Sequence, residues 1–312
     1  MPTPDGYYNE LWARTQPAGG ELSDVSEHSG DSMNGKSEVV LLIHGYNAPV
    51  KSQRDEYEAF IEDVASKGIR PVIAPSFGAP GLPVFKFFWP GDWDNMFSAA
   101  AYMQMVGRAP KVGDRLEKYL NTLSGPGGAP MLIHIVSHSL GNRVTLELLE
   151  YLRTRAQSGQ HQIISYTLMA AAVPENRVKQ GNELHDATLS VGKRQVLYSR
   201  SDTVLHWAFP PGETLAGEGF FPTAIGRSGE PSSLWTTRRD FSNIPTDGHD
   251  GYRHSDYWRG DISADEAAKL LGVPINTMSI SSAAPTHTLP PSNAVATKSF
   301  SERLLTVTRS FW

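Results

Sequence analysis

The chain has 312 residues, 39% hydrophobic and 20% charged, with a net charge of −5 and no cysteine. That length and apolar content support one large packed domain or two modest ones and argue against wholesale disorder. The mild acidity, without a long Lys/Arg cluster, lacks the electrostatic footprint of a nucleic-acid binder, and the missing cysteine excludes disulfides, thiolate metal sites and a cysteine nucleophile.

Residues 1–37 are polar and rich in Gly, Ser, Asp and Glu, and read as a loosely ordered N-terminal arm. The first residues lack a basic start followed by an apolar run, and no apolar window approaches a bilayer span. The expectation is a cytoplasmic chain with no transmembrane segment. "EVVLLIHG" (38–45) is too short for a typical helix and rich in branched residues, so it reads as a buried, parallel strand. "SQRDEYEAFIEDVASKG" (52–68) places Tyr57, Phe60, Ile61 and Val64 at helical spacing. A short strand at 71–74 and a longer one within "PVFKFFWPGDW" (83–93) follow. Residues 95–123 are helical in composition, with Pro110 expected to kink or break them. "PMLIHIV" (130–136) is a buried strand, and Leu140, Val144, Leu148 and Leu152 recur every four residues in the helix after it. Runs 162–173 and 194–199 read as further strands, and 233–241 as a weaker one. "SADEAAKLLG" carries a capping box with Ser263 at the N-cap and Glu266 three residues on. The domain spans 38–275, and a Ser/Thr/Pro-rich C-terminal extension occupies 276–312.

Strands alternating with helices imply a mostly parallel sheet with helices on both faces, whose chemistry sits just beyond the carboxyl ends of the strands. The first informative end is "IHIVSHSLGNRV" (133–144). It differs by one position from the G-x-S-x-G elbow, with Ser137 in place of the first glycine. In such an elbow a strand turns sharply into a helix and the tip residue, here Ser139, points outward beside the positive helix end. The bland alternative is an N-cap serine without chemistry. The second end, "IHGYNAP" (43–49), can present the Tyr46 amide to a developing oxyanion, with the Leu140 amide as second donor. His44 reads as a histidine pinning that loop, and the alternative for the whole stretch is an ordinary strand-to-helix connection.

"LLIHGYN" and "VSHSLGNRV", with "FFWPGDW", resemble the α/β-hydrolase superfamily, in particular a serine esterase/lipase-like branch. The resemblance covers about residues 38–260. It implies a triad in the chain order serine, acid, histidine. The absence of two leading strands before residue 38 implies an α/β-hydrolase fold with a shortened N-terminal part. "VLYSRSDTVL" places Asp202 just past a strand and downstream of Ser139, as the acid that would hold a histidine ring; the bland alternative is an N-cap of the next turn. Asp186 and Asp240 are the reserves. "DGHDGYRHSDYW" (247–258) offers His249 and His254, and the resemblance favours His254. A rival metal cluster of His249, Asp250, His254 and Asp256 does not have the spacing of a known metal motif. His134 reads as a core histidine and His138 as the variable position of the elbow.

These residues describe a serine hydrolase acting on a small-molecule acyl ester without a cofactor or metal. Acyltransferase, amidase and lipase chemistry on the same triad, and a non-catalytic binding module on the same fold, remain the alternatives. The excursion 206–226 carries Trp207, Phe209, Phe220 and Phe221, expected to line the substrate pocket, with 76–85 as a second wall. Oligomeric state is not encoded in any readable motif.

Overall fold

The apolar runs read as strands line up edge to edge in the computed structural model, which describes residues 9–17, 19–46, 49–67, 81–92, 99–156, 159–246 and 249–272. The strands are β1 (Asn9–Arg14), β2 (Leu22–Ser29), β3 (Glu38–Ile43), β4 (Val84–Phe88), β5 (Met131–His138), β6 (His161–Met169), β7 (Lys193–Tyr198) and β8 (Thr237–Asp240). They form one sheet in the order β2-β1-β4-β3-β5-β6-β7-β8. Every neighbouring pair is parallel except β1 and β2. The helices are α1 (Val50–Ala65), α2 (Ala99–Leu120), α3 (Gly141–Thr154), α4 (Glu175–Val178), α5 (His185–Leu189), α6 (Phe209–Leu215), α7 (Ile225–Ser228) and α8 (Asp261–Leu271). This is the α/β-hydrolase architecture.

Strand alternation divides the core in two. Val39, Leu41 and Ile43 of β3 point to one face, where Val112 and Leu116 of α2 and Val144 and Leu148 of α3 cover them. Val40 and Leu42 point to the other, under Phe60, Ile61 and Val64 of α1 and Ala264, Ala267 and Leu271 of α8. Burial on both faces is why the central strands are continuous apolar runs.

The N-terminal reading is corrected. Residues 9–29 contribute two strands, so the sheet is not shortened there. All six residues of β1 are buried, polar ones included. Each charge has a partner: Glu10 accepts from Arg54 at 2.6 and 2.8 Å, and Arg14 donates to Asp92 at 3.0 Å. Polar composition hid a strand whose charges are satisfied by distant groups.

Two smaller expectations also shift. α2 runs on through Pro110 instead of breaking. α8 starts at Asp261 with Gly260 at its N-cap, and the Ser263 hydroxyl instead donates to the Tyr257 and Gly260 carbonyls. The expected strand at 71–74 and the extension 276–312 lie outside the described residues, as does most of the loop 76–85. Among the described residues, no helix is long and apolar enough to cross a membrane.

Candidate active site

β5 ends at His138 and α3 begins at Gly141, so Ser139 and Leu140 alone make the reversal. Ser139 has φ 54°, a left-handed conformation that costs a non-glycine residue about 1–3 kcal/mol and persists only where its surroundings enforce it. Those surroundings are visible. The Ser139 amide donates to the Met169 carbonyl at 3.0 Å, and its carbonyl accepts from the Ala172 amide at 3.1 Å. The Asn142 side-chain amide donates to the Ser139 and Met169 carbonyls at 2.9 and 2.8 Å. Ser137, where the motif has glycine, donates its hydroxyl to Asn142 Oδ1 at 2.7 Å, so the extra atoms are used to clamp the turn.

Two glycines let the elbow meet the end of β3. A Cβ on Gly141 would stand 2.3 Å from the His44 carbonyl oxygen, and one on Gly45 would stand 2.5 Å from Ser139 Cβ. The loop carrying Tyr46 therefore passes directly over the serine. His44 is buried and stacks on Trp89 at 5.5 Å. Its Nε2 accepts from the Trp89 amide at 3.2 Å, and its carbonyl accepts from the Trp89 indole at 2.8 Å. Burial pushes its pKa down to about 4, which keeps the ring neutral as a structural pin.

Two strands along the same edge of the sheet, Asp202 follows β7 and is fully buried. Its two oxygens divide the roles that the sequence leaves open. Oδ1 accepts from the Leu205 amide at 2.9 Å, as a cap would, and Oδ2 accepts from His254 Nδ1 at 2.8 Å. The Ser139 hydroxyl donates to His254 Nε2 at 2.7 Å. The three residues named from the sequence are thus in continuous hydrogen-bond contact. The reserves are elsewhere: Asp186 pairs with His185 at 2.9 Å, and Asp240 accepts from the Ser242 amide at 2.8 Å. His249 contacts Thr246 at 2.8 Å and Asp256 at 3.6 Å, whereas His254 is held by Asp202 at 2.8 Å, so the rival cluster is split. Among the described residues, no group of three or more His, Cys, Asp or Glu side chains is placed to hold a metal ion.

The sequence marks His138 only as the variable elbow position, and the structure gives it more. Its Nε2 donates to the His254 carbonyl at 2.7 Å, and the two rings lie 5.0 Å apart. Burial first, and the neighbouring His254 second, push its pKa down to about 3. A neutral His138 fixes the backbone that carries His254. Its position beside Ser139 was the available signal.

The amides of Leu140 and Gly141 precede the first hydrogen-bonded turn of α3 and have no helical acceptor. Ser139 and Tyr46 open onto a pocket of about 540 Å3. Of the four aromatic residues expected to line it, Phe209 does so. Trp207, Phe220 and Phe221 do not; they are 72%, 84% and 53% exposed. Helical phase explains the correction for Trp207: Leu205 and Phe209, four residues apart, take the inner face, and Trp207 takes the outer one. Phe220 and Phe221 sit beyond α6 and pack on each other at 5.0 Å. Tyr102 of α2, Gln53 and Glu56 of α1, and Arg253 line the pocket and were not singled out from the sequence. Polar residues in the first turns of an amphipathic helix look like a solvated face until the helix is placed.

A family model described as "Alpha/beta hydrolase of unknown function (DUF900)" matches residues 24–209, more than half of the chain. No curated protein matches. Among solved structures, the product of the gene lin2722 from Listeria innocua is similar over 78% of this chain and 96% of its own, at 11% identity and a TM-score of 0.44. Acyl-protein thioesterase 2 of Zea mays is similar over 77% of this chain and 95% of its own, at 14% identity and a TM-score of 0.34.

Proposed function

Given that the chain belongs to the α/β-hydrolase family of unknown function DUF900, we propose that it is a serine hydrolase cleaving carboxylic esters through an acyl-enzyme. The observation that carries the reading is the run of two hydrogen bonds, 2.7 and 2.8 Å, from the Ser139 hydroxyl through His254 to a buried Asp202.

Ser139 Oγ attacks the ester carbonyl while His254 Nε2 takes its proton. Asp202 holds the ring with Nδ1 protonated and stabilises the imidazolium that forms. The amides of Tyr46 and Leu140 donate to the oxyanion, each worth about 10²–10³ in rate. His254 then gives its proton to the departing alcohol. A water, deprotonated by the same nitrogen, attacks the acyl-enzyme and releases the acid. Leu205 and Phe209 offer the acyl group an apolar wall. Acyl transfer, amide cleavage and lipid hydrolysis differ from this scheme in the acceptor or the leaving group, not in the residues used.

A fluorophosphonate probe tests the reading. It should label Ser139 in the full chain and fail to label Ser139→Ala. A p-nitrophenyl ester series from acetate to palmitate should then be hydrolysed with a definite chain-length preference. A folded protein that neither labels nor turns over any ester is a binding module, and the proposal fails.

A further inference from the structure

The pocket has two ends, and the fold tells them apart. The segment carrying His254 lies against α1: Trp258, four residues further on, packs edge-to-face on Tyr57 and Phe60 at 5.0 and 5.1 Å. Ser52, Gln53 and Glu56 of α1 line the pocket on that side, with Arg253 and Ser255 flanking His254. His254 must hand its proton to the departing oxygen, so the alcohol of an ester lies at this end. The acyl group leaves the same carbonyl carbon in another direction, away from the imidazole and towards Tyr102, Ala208, Phe209 and Pro211. Tyr102 belongs to α2, which covers the opposite face of the sheet from α1.

Tyr102 is fixed from several sides. Its hydroxyl donates to Oε1 of the buried Glu213 at 2.7 Å. Its ring stands edge-to-face with Tyr46 at 5.6 Å and with Phe209 at 6.5 Å. The Gly212 α-carbon is so near that a Cβ there would stand 2.5 Å from Tyr102 Cδ1. Tyr46 in turn follows Gly45, whose α-carbon lies against Ser139. A ring held at its hydroxyl and pressed at its edge cannot swing aside for a longer chain without breaking the bond to Glu213 inside a packed wall.

We propose that Tyr102 is a specificity-determining residue that closes the acyl end of the pocket, and that the substrate is an ester of a medium-chain acid, of roughly six to ten carbons. The proposal rests on the serine hydrolase reading above. Length comes from volume. The pocket of about 540 Å3 holds about eighteen water-sized groups, such as methylenes, at about 30 Å3 each. The acyl chain shares that space with the carbonyl and the alcohol, and a palmitoyl chain alone would take nearly all of it. Polarity comes from the wall: Tyr102, Ala208, Phe209 and Pro211 bring no charge to the acyl end. A charged acyl group would lose its hydration there without gaining a partner.

The test reads kcat/KM for p-nitrophenyl esters from acetate to palmitate in the full chain, so that the leaving group is constant. For the wild type the value should climb about fourfold per methylene buried, peak between hexanoate and decanoate, and fall by about tenfold or more at palmitate. Tyr102→Ala opens the acyl end and should raise the palmitate-to-octanoate ratio by about tenfold or more. Tyr102→Phe keeps the ring and should leave the optimum where it is. If Tyr102→Ala melts below the assay temperature, Tyr102→Leu, shorter than the ring and still apolar, carries the same readout. A wild-type peak outside that range, or a ratio that truncation of Tyr102 does not move, overturns the proposal. If Ser139 still labels with fluorophosphonate in that case, the hydrolase reading stands and the acyl limit alone is lost. If Ser139 does not label and no ester is cleaved, both fall.

Discussion

The two halves of the candidate site are built by different means. The nucleophile half is one continuous strand, turn and helix. It is held by backbone against backbone, with the Gly141 α-carbon under the His44 carbonyl and the Gly45 α-carbon against Ser139. The acid–base half consists of two loops, with Asp202 and His254 52 positions apart, that meet through side-chain hydrogen bonds. The first half has no room for one more carbon atom. The second accepts isosteric change in shape but depends on which atom carries the proton. Structural and chemical sensitivity should therefore separate between them.

Asp202→Asn is the strongest way to expose the chemical side. The Oδ1 cap on the Leu205 amide is kept, while an NH₂ group now faces His254 Nδ1 and favours the wrong tautomer. The expected loss in kcat is about 10⁴-fold with little change in Tm, measured by ester hydrolysis and thermal melting. A large drop in Tm would mean that Asp202 serves the fold as much as the ring. Gly141→Ala probes the other half. Its new methyl group would meet the His44 and Ile43 carbonyl oxygens at 2.3 and 2.7 Å. Overpacking of this kind should cost about 3 kcal/mol of stability. An unaltered denaturation midpoint would show that the elbow and the end of β3 can part without penalty.

The smallest effect concerns the pocket wall that belongs to neither half. Tyr102 donates to Glu213 Oε1 at 2.7 Å, and burial pushes the Glu213 pKa up to about 7. The folded state therefore holds a proton that the unfolded chain has already released above pH 4.5. Stability from this group is complete below that pH and is lost as pH rises to about 7. Glu213→Gln removes the loss. Its unfolding free energy relative to the wild type should grow by about 2 kcal/mol between pH 5.5 and 7. A pH-independent difference would place the Glu213 carboxyl in contact with water.

Legibility followed locality. The elbow and the oxyanion loop are short contiguous stretches, so spacing and residue size announce the turn before any packing is considered. His254 and His249 are not told apart by local pattern, since both lie within the same dozen residues and only His254 faces Asp202. The N-terminal strands escaped because β1 buries Glu10 and Arg14, whose partners Arg54 and Asp92 are far away in the chain. Pattern reading counts a charge as exposed unless it can see what neutralises it.

The central strands β3 to β7, the tight bend at Ser139 and the small residues that permit it were written in the chain, because each depends on neighbours within one turn or one strand. Tertiary structure alone decided which aspartate reaches which imidazole, that His138 braces the backbone of His254, that Phe209 turns inward while Trp207 turns out, and that a polar face of α1 borders the serine. Those outcomes depend on how separate segments converge above the sheet, and a linear pattern carries no measure of distance between segments that only packing brings together.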